Sequence, residues 1–99
     1  MRIEIHSEAW EEFFQAADRY ESEAPGVGRR FRVEIERCLG LLAEHPNIGP
    51  PEGRRLRRFV VDDGFSYSLI YQVRTDLILV VSIAHHSRRP GYWRRRAAR

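Results

Sequence analysis

No lysine occurs in this sequence: all 17 of its basic residues are arginine. That excludes a lysine nucleophile or Schiff base and makes every side-chain cation a planar fork suited to phosphate or carboxylate. Cysteine is almost as scarce. The single thiol, Cys38, rules out an internal disulfide and fits a reducing compartment. No apolar run approaches the roughly 18 residues of a membrane span. Glu4 also interrupts the N-terminal stretch where an export signal needs unbroken apolar character, so a cytoplasmic protein with no membrane partner is expected. The 99 residues predict one domain, 1–99, with a modest core.

What is present is charge, unevenly placed. Residues 1–53 carry 6 arginines against 11 acids, whereas 54–99 carry 11 arginines against 3 acids. Such a split predicts that the C-terminal half meets an anionic partner, either nucleic acid or an acidic protein.

The order of periodicities predicts the fold. Ile3 and Ile5 alternate with polar neighbours, as in a short strand. Ser7 is placed to cap a helix in which Trp10, Phe13, Ala17 and Tyr20 recur at helical spacing, widened by Phe14 and Ala16. Pro25-Gly26 breaks that helix, and a second one follows with Val27, Phe31, Ile35, Cys38, Leu39 and Leu42 on one side and Glu34, Glu36 and Arg37 on or near the other. It ends at His45-Pro46, because the residue before proline is pushed out of the helical region. After the connector 46–53 the period changes to 2. Arg54 to Asp62 reads as an arginine-rich strand, Asp63-Gly64 as a tight hairpin turn, and 65–73 as a strand with one buried face. Leu77 to Ala84 is continuously apolar, as expected of a central strand covered on both sides. The predicted class is α+β in two layers. A β-α-α-β-β-β order places an antiparallel helix hairpin on one face of a mainly antiparallel four-stranded sheet, followed by a short basic tail. The other face is expected to be left as a concave binding surface.

Three groups of residues are candidates for chemistry. Arg54, Arg55, Arg57 and Arg58 lie close together, and strand parity would put Arg55 and Arg57 on one face. They fit either a charged edge that resists aggregation or a phosphate-binding surface. His85 and His86 follow the central strand. Neighbours in an extended chain face opposite ways, so no shared metal is expected, and no cofactor either; one of them suits general acid or base work. Arg88, Arg89, Tyr92 and Trp93 form the densest cationic and aromatic cluster. It fits nucleic-acid contact, or a tail in which Tyr92 and Trp93 close the core while the arginines are solvated. Cleaving RNA without metal needs a base, an acid and cations for the developing charge, roles that a histidine, a tyrosine and two arginines can fill. Cys38, on an apolar stripe, reads as inert core, and the acids Glu8, Glu11, Glu12, Asp18, Glu21 and Glu23 read as a solvated helix face.

The layout, the strand 65–73 with Asp76 and the apolar strand after it, and above all the stretch 84–93 (AHHSRRPGYW) with Arg96 resemble the RelE/ParE superfamily of bacterial toxins. The tail is most similar to the ParE-like plasmid stabilisation branch. The resemblance covers nearly the whole chain. It implies a cognate antitoxin that wraps the toxin, and either DNA gyrase or the ribosome with its mRNA as target. Relatives that cleave mRNA on the ribosome carry an arginine where this chain has Ser68, so one phosphate clamp is missing. His86, Arg88 and Tyr92 match positions useful for cleavage if the chain is a metal-independent endoribonuclease. Whichever the target, Arg55, Arg57, His85, Arg89 and Trp93 are the expected target- or phosphate-binding residues. A non-toxic binding module of the same fold is the third expectation.

Overall fold

Two sequence breaks, Pro25-Gly26 and His45-Pro46, each end a helical stretch of the chain. The computed structural model, which describes residues 1–61 and 64–97, ends one helix just before each of them. Strand β1 (Arg2–Ile5) leads into α1 (Ser7–Glu23) and α2 (Val27–Glu44). The sheet is completed by β2 (Arg57–Val60), β3 (Tyr67–Val73) and β4 (Leu77–His85), and a single helical turn, α3 (Arg94–Ala97), follows. The strand order is β1-β4-β3-β2, with β1 parallel to β4 and the other pairs antiparallel. The α+β two-layer architecture expected from the sequence is the one observed.

The helix hairpin is tight because of glycine. A Cβ on Gly28 would meet the Ala17 carbonyl oxygen at 2.6 Å, so only glycine lets α2 approach α1 this closely. Glu21, near the end of α1, accepts hydrogen bonds from the Gly26 and Gly28 amides and so caps the start of α2 across the turn. At the start of α1 the capping residue is His6 rather than Ser7: its ring accepts from the Glu8 amide, and Ser7 is already helical.

Between the hairpin and the sheet lies an aromatic core. Phe31 sits at its centre, with ring centroids of Phe13, Tyr20, Phe65 and Tyr67 5.1 to 5.8 Å away. Cys38 is fully buried beside it, as its position on the apolar stripe implied. Two members of the predicted stripe fall outside the core: Trp10 and Phe14 stack on each other at the surface, 44% and 57% exposed. Glu34 departs the other way. It is buried, and the bidentate Arg37 fork that holds it keeps its carboxyl below the usual range.

The second face of the sheet is not the open concave surface expected. Leu56, Ile70, Val81, Ala84 and Trp93 form a second apolar cluster there, because the tail folds back over the sheet. For the same reason β3 is buried on both faces, with Ser68 and Ile70 as fully buried as Leu69 and Tyr71. The predicted strand 54–62 shortens to β2. Gly53 and Arg55 both take left-handed φ values (69° and 57°), turning the chain so that Pro51 bridges to Arg57 and the Glu52 amide donates to the Leu56 carbonyl. The parity argument for Arg54 and Arg55 therefore fails: they stand on a turn, not a strand. The first residue of the expected Asp63-Gly64 turn lies outside the described residues, and Gly64 has the positive φ (84°) such a turn needs.

Candidate functional site

The tail is anchored by a residue the sequence placed on a solvated face. Glu12, on α1, is nearly buried, with 11% of its side chain exposed. One carboxylate oxygen accepts from the Ser82 hydroxyl (2.9 Å), the Ile83 amide (3.0 Å) and Arg96 (2.9 Å). The other accepts a very short hydrogen bond from the Tyr92 hydroxyl and has Arg88 at 3.9 Å. Strand β1 accompanies β4 only as far as Val80, so Glu12 also satisfies an amide on the stretch of β4 that β1 leaves uncovered. Arg96 binds Glu8 at 2.7 Å and the Val81 carbonyl at 2.9 Å, tying α3 to both α1 and β4. The signal in the sequence was faint: Glu8 and Glu12 are one helical turn apart, next to Ala9 and Phe13, but their shared partner Arg96 is 88 and 84 positions away.

Around this hub the predicted site residues divide. Tyr92 and Arg88 belong together, the guanidinium lying 4.0 Å from the ring centroid. Burial, followed by the hydrogen bond to Glu12, pushes the Tyr92 hydroxyl above its ordinary value. His86 is engaged elsewhere. Its Nε2 pairs with the Ser68 hydroxyl at 2.8 Å, and its amide donates to the Ser66 carbonyl. His85 turns to the aromatic core: its ring meets Tyr67 edge-on at 4.9 Å, and its Nδ1 accepts from the Ser87 amide. Burial, then the charge of Arg19, holds the His85 imidazole below its ordinary value. Arg88 and Arg89 are exposed with His86, so one end of the sheet presents a cationic surface. Trp93 does not join it. Expected at a binding surface, its ring is only 2% exposed because it packs on Leu56 and Ile70, with Arg58 across it at 5.5 Å.

The remaining candidates line a different region. Arg55 and Arg57 border an open cleft of about 960 Å³ at the β3–β4 turn, together with Gln72, Arg74 and Asp76. Arg57 is partly spent on structure, donating to the Gly49 carbonyl (2.7 Å) and more weakly to that of Asn47. Among the described residues no group of three histidine, cysteine or acidic side chains is placed to hold a metal ion.

These features define a small α+β domain whose cationic groups lie on open surface. The family model for the ParE toxin of the type II toxin-antitoxin system parDE matches residues 3–90, and the chain belongs to that family. Among solved structures it is similar to the chromosomal ParDE toxin-antitoxin system from P. aeruginosa, with a TM-score of 0.75 at 18% identity over 86% of this chain and 95% of that one. No curated protein matches the sequence.

Proposed function

We propose that this ParE-family toxin acts in the cytoplasm by inhibiting DNA gyrase, and that a cognate antitoxin neutralises it. The observation that carries this reading over mRNA cleavage is the position of Tyr92. A general acid must give up its proton to a leaving group, yet this hydroxyl is turned into the protein onto Glu12, and His86 is paired with Ser68 rather than with it. The arginine that ribosome-dependent relatives carry is Ser68 here, fully buried. On this reading Arg88, Arg89 and His86 are contact residues, and Tyr92 is an anchor of the tail. The stacked, exposed Trp10–Phe14 pair supplies an apolar surface of the kind a protein partner covers, which suits the antitoxin.

The test is a supercoiling assay with purified gyrase alongside an mRNA cleavage assay on translating ribosomes. Inhibition of supercoiling by the free chain, weakened when Arg88 and Arg89 are both changed to alanine, is the expected result. Cleavage of mRNA with unimpaired supercoiling would assign the chain to the ribosome instead. Inactivity in both assays would leave a binding module.

A further inference from the structure

The arginines of the β2 turn have no role in the tail or in the contact surface just described. Two adjoining hollows, about 960 and 920 Å³, share Gly53, Arg55, Leu56, Gln72 and Ala97, so they form one open trough. Arg54, Arg55, Arg57, Arg74 and Arg94 line it, against Glu52 and Asp76. Glu52 is already engaged by Arg58 at 3.1 Å, which leaves the trough strongly cationic. Arg54, Arg55 and Arg94 are exposed and make no ion pair among the described residues. Arg55 holds a left-handed backbone that only glycine adopts freely, and both it and Arg54 line the second hollow. One end of the trough is at the β3–β4 turn, whereas His85 ends β4 eight residues after its start, roughly 26 Å from that end at strand rise.

We propose that this trough binds the phosphate backbone of a nucleic acid, with Arg54, Arg55 and Arg94 each taking a phosphate. Fork-shaped cations along an open channel suit a chain of phosphates. No aromatic ring lines the trough, since Trp93 is buried beneath it and Tyr92 faces Glu12, so bases are not stacked. Binding is therefore indifferent to sequence. The inference does not depend on which cellular target the toxin inhibits.

The experiment is fluorescence anisotropy with the purified chain and labelled mixed-sequence duplex DNA, single-stranded DNA and RNA across a salt series. Three phosphate contacts predict a log–log slope of about −2.7 on duplex and about −2.1 on single strands, or roughly a 40-fold loss on duplex between 50 and 200 mM salt. Changing Arg54, Arg55 and Arg94 together to alanine should abolish most of that slope. An equal loss of charge elsewhere, by alanine at Arg2, Arg29 and Arg32, should leave it within a few tenths. Arg55→Gly is the safeguard on folding, because it removes one cation while relieving the left-handed backbone; its duplex slope should fall by about 0.9. Binding to DNA alone or to RNA alone names the source of the phosphates and supports the proposal. Three results overturn it: no binding to any nucleic acid, an unchanged slope in both trough variants, or capture of a poly-glutamate peptide with no nucleic acid bound, which would give the trough to an acidic protein.

Discussion

The two faces of the sheet are closed by opposite means. On the helix side, four aromatic rings from α1, the start of β3 and the turn before it interlock around Phe31 of α2, and many small contacts share the load. On the other side a short tail is held by one carboxylate and a few donors, with Trp93 as the main apolar anchor. Loss of a peripheral contact on the first face, away from Phe31, is spread over neighbours. On the second it leaves near-buried donors without an acceptor, which is costly for each group. The first face thus resists change by redundancy, and the second depends on Glu12.

The comparison is broken most severely at the centre of the aromatic core. Phe31→Ala should cost roughly 3–5 kcal/mol, because a fully buried ring is removed between helices that cannot close the cavity. Denaturant titration measures it, and a loss below about 1 kcal/mol would show that the core repacks. Next comes Glu12→Gln, expected to cost roughly 2–4 kcal/mol by removing the charge that Arg96 faces and the acceptor that Tyr92 uses. The same change should expose the tail to proteolysis before global unfolding, which Phe31→Ala should not do. Glu8→Gln is the paired control. Glu8 touches the same Arg96, but its side chain is 57% exposed, so the expected cost is below about 1 kcal/mol. Equal losses from Glu8 and Glu12 would mean that the tail is held by surface charge alone.

The helix face was legible in the sequence because its signal is local. Phe13, Ala16, Phe31, Ile35 and Leu42 repeat at the helical period, and Pro25-Gly26 and His45-Pro46 mark where that period stops. Trp10 and Phe14 share the periodicity without sharing the core, since a stripe can be wider than the sheet it covers. The tail face was not legible. An acid on a helix looks solvated until the chain returns 70 to 84 residues later with Ser82, Ile83, Tyr92 and Arg96. The β2 turn was misread for a different reason. An arginine at φ 57° is rare, so arginine pairs interleaved with Leu56 and Phe59 read as a strand unless that turn is known. Of the candidate site, composition marked the basic and aromatic segments, but pairing decided which residues lie together: Tyr92 with Glu12, His86 with Ser68, and Trp93 with the core.

The smallest expected effect tests where the two faces meet, at His85. Its ring lies against Tyr67 of the aromatic core, and Arg19 donates to the Tyr67 hydroxyl at 2.6 Å. Burial first, and the Arg19 charge second, make the folded state disfavour the imidazolium, so its folded value lies below the ordinary 6.5. The unfolded chain has no such penalty and takes the proton first as pH falls. Stability is therefore present in full above about pH 6.5 and is lost as pH falls through the lowered folded value. Glu34, also lowered, acts in the same direction but only below its ordinary value of 4.5, under the range from pH 7.5 to about 5. Thermal midpoints from pH 7.5 down to about 5 should decline in the native chain and decline less in His85→Gln. Arg19→Gln should shallow the decline as well, by removing the second cause. If His85→Gln leaves the pH dependence unchanged, the ring is solvated in solution and the aromatic core ends at Tyr67.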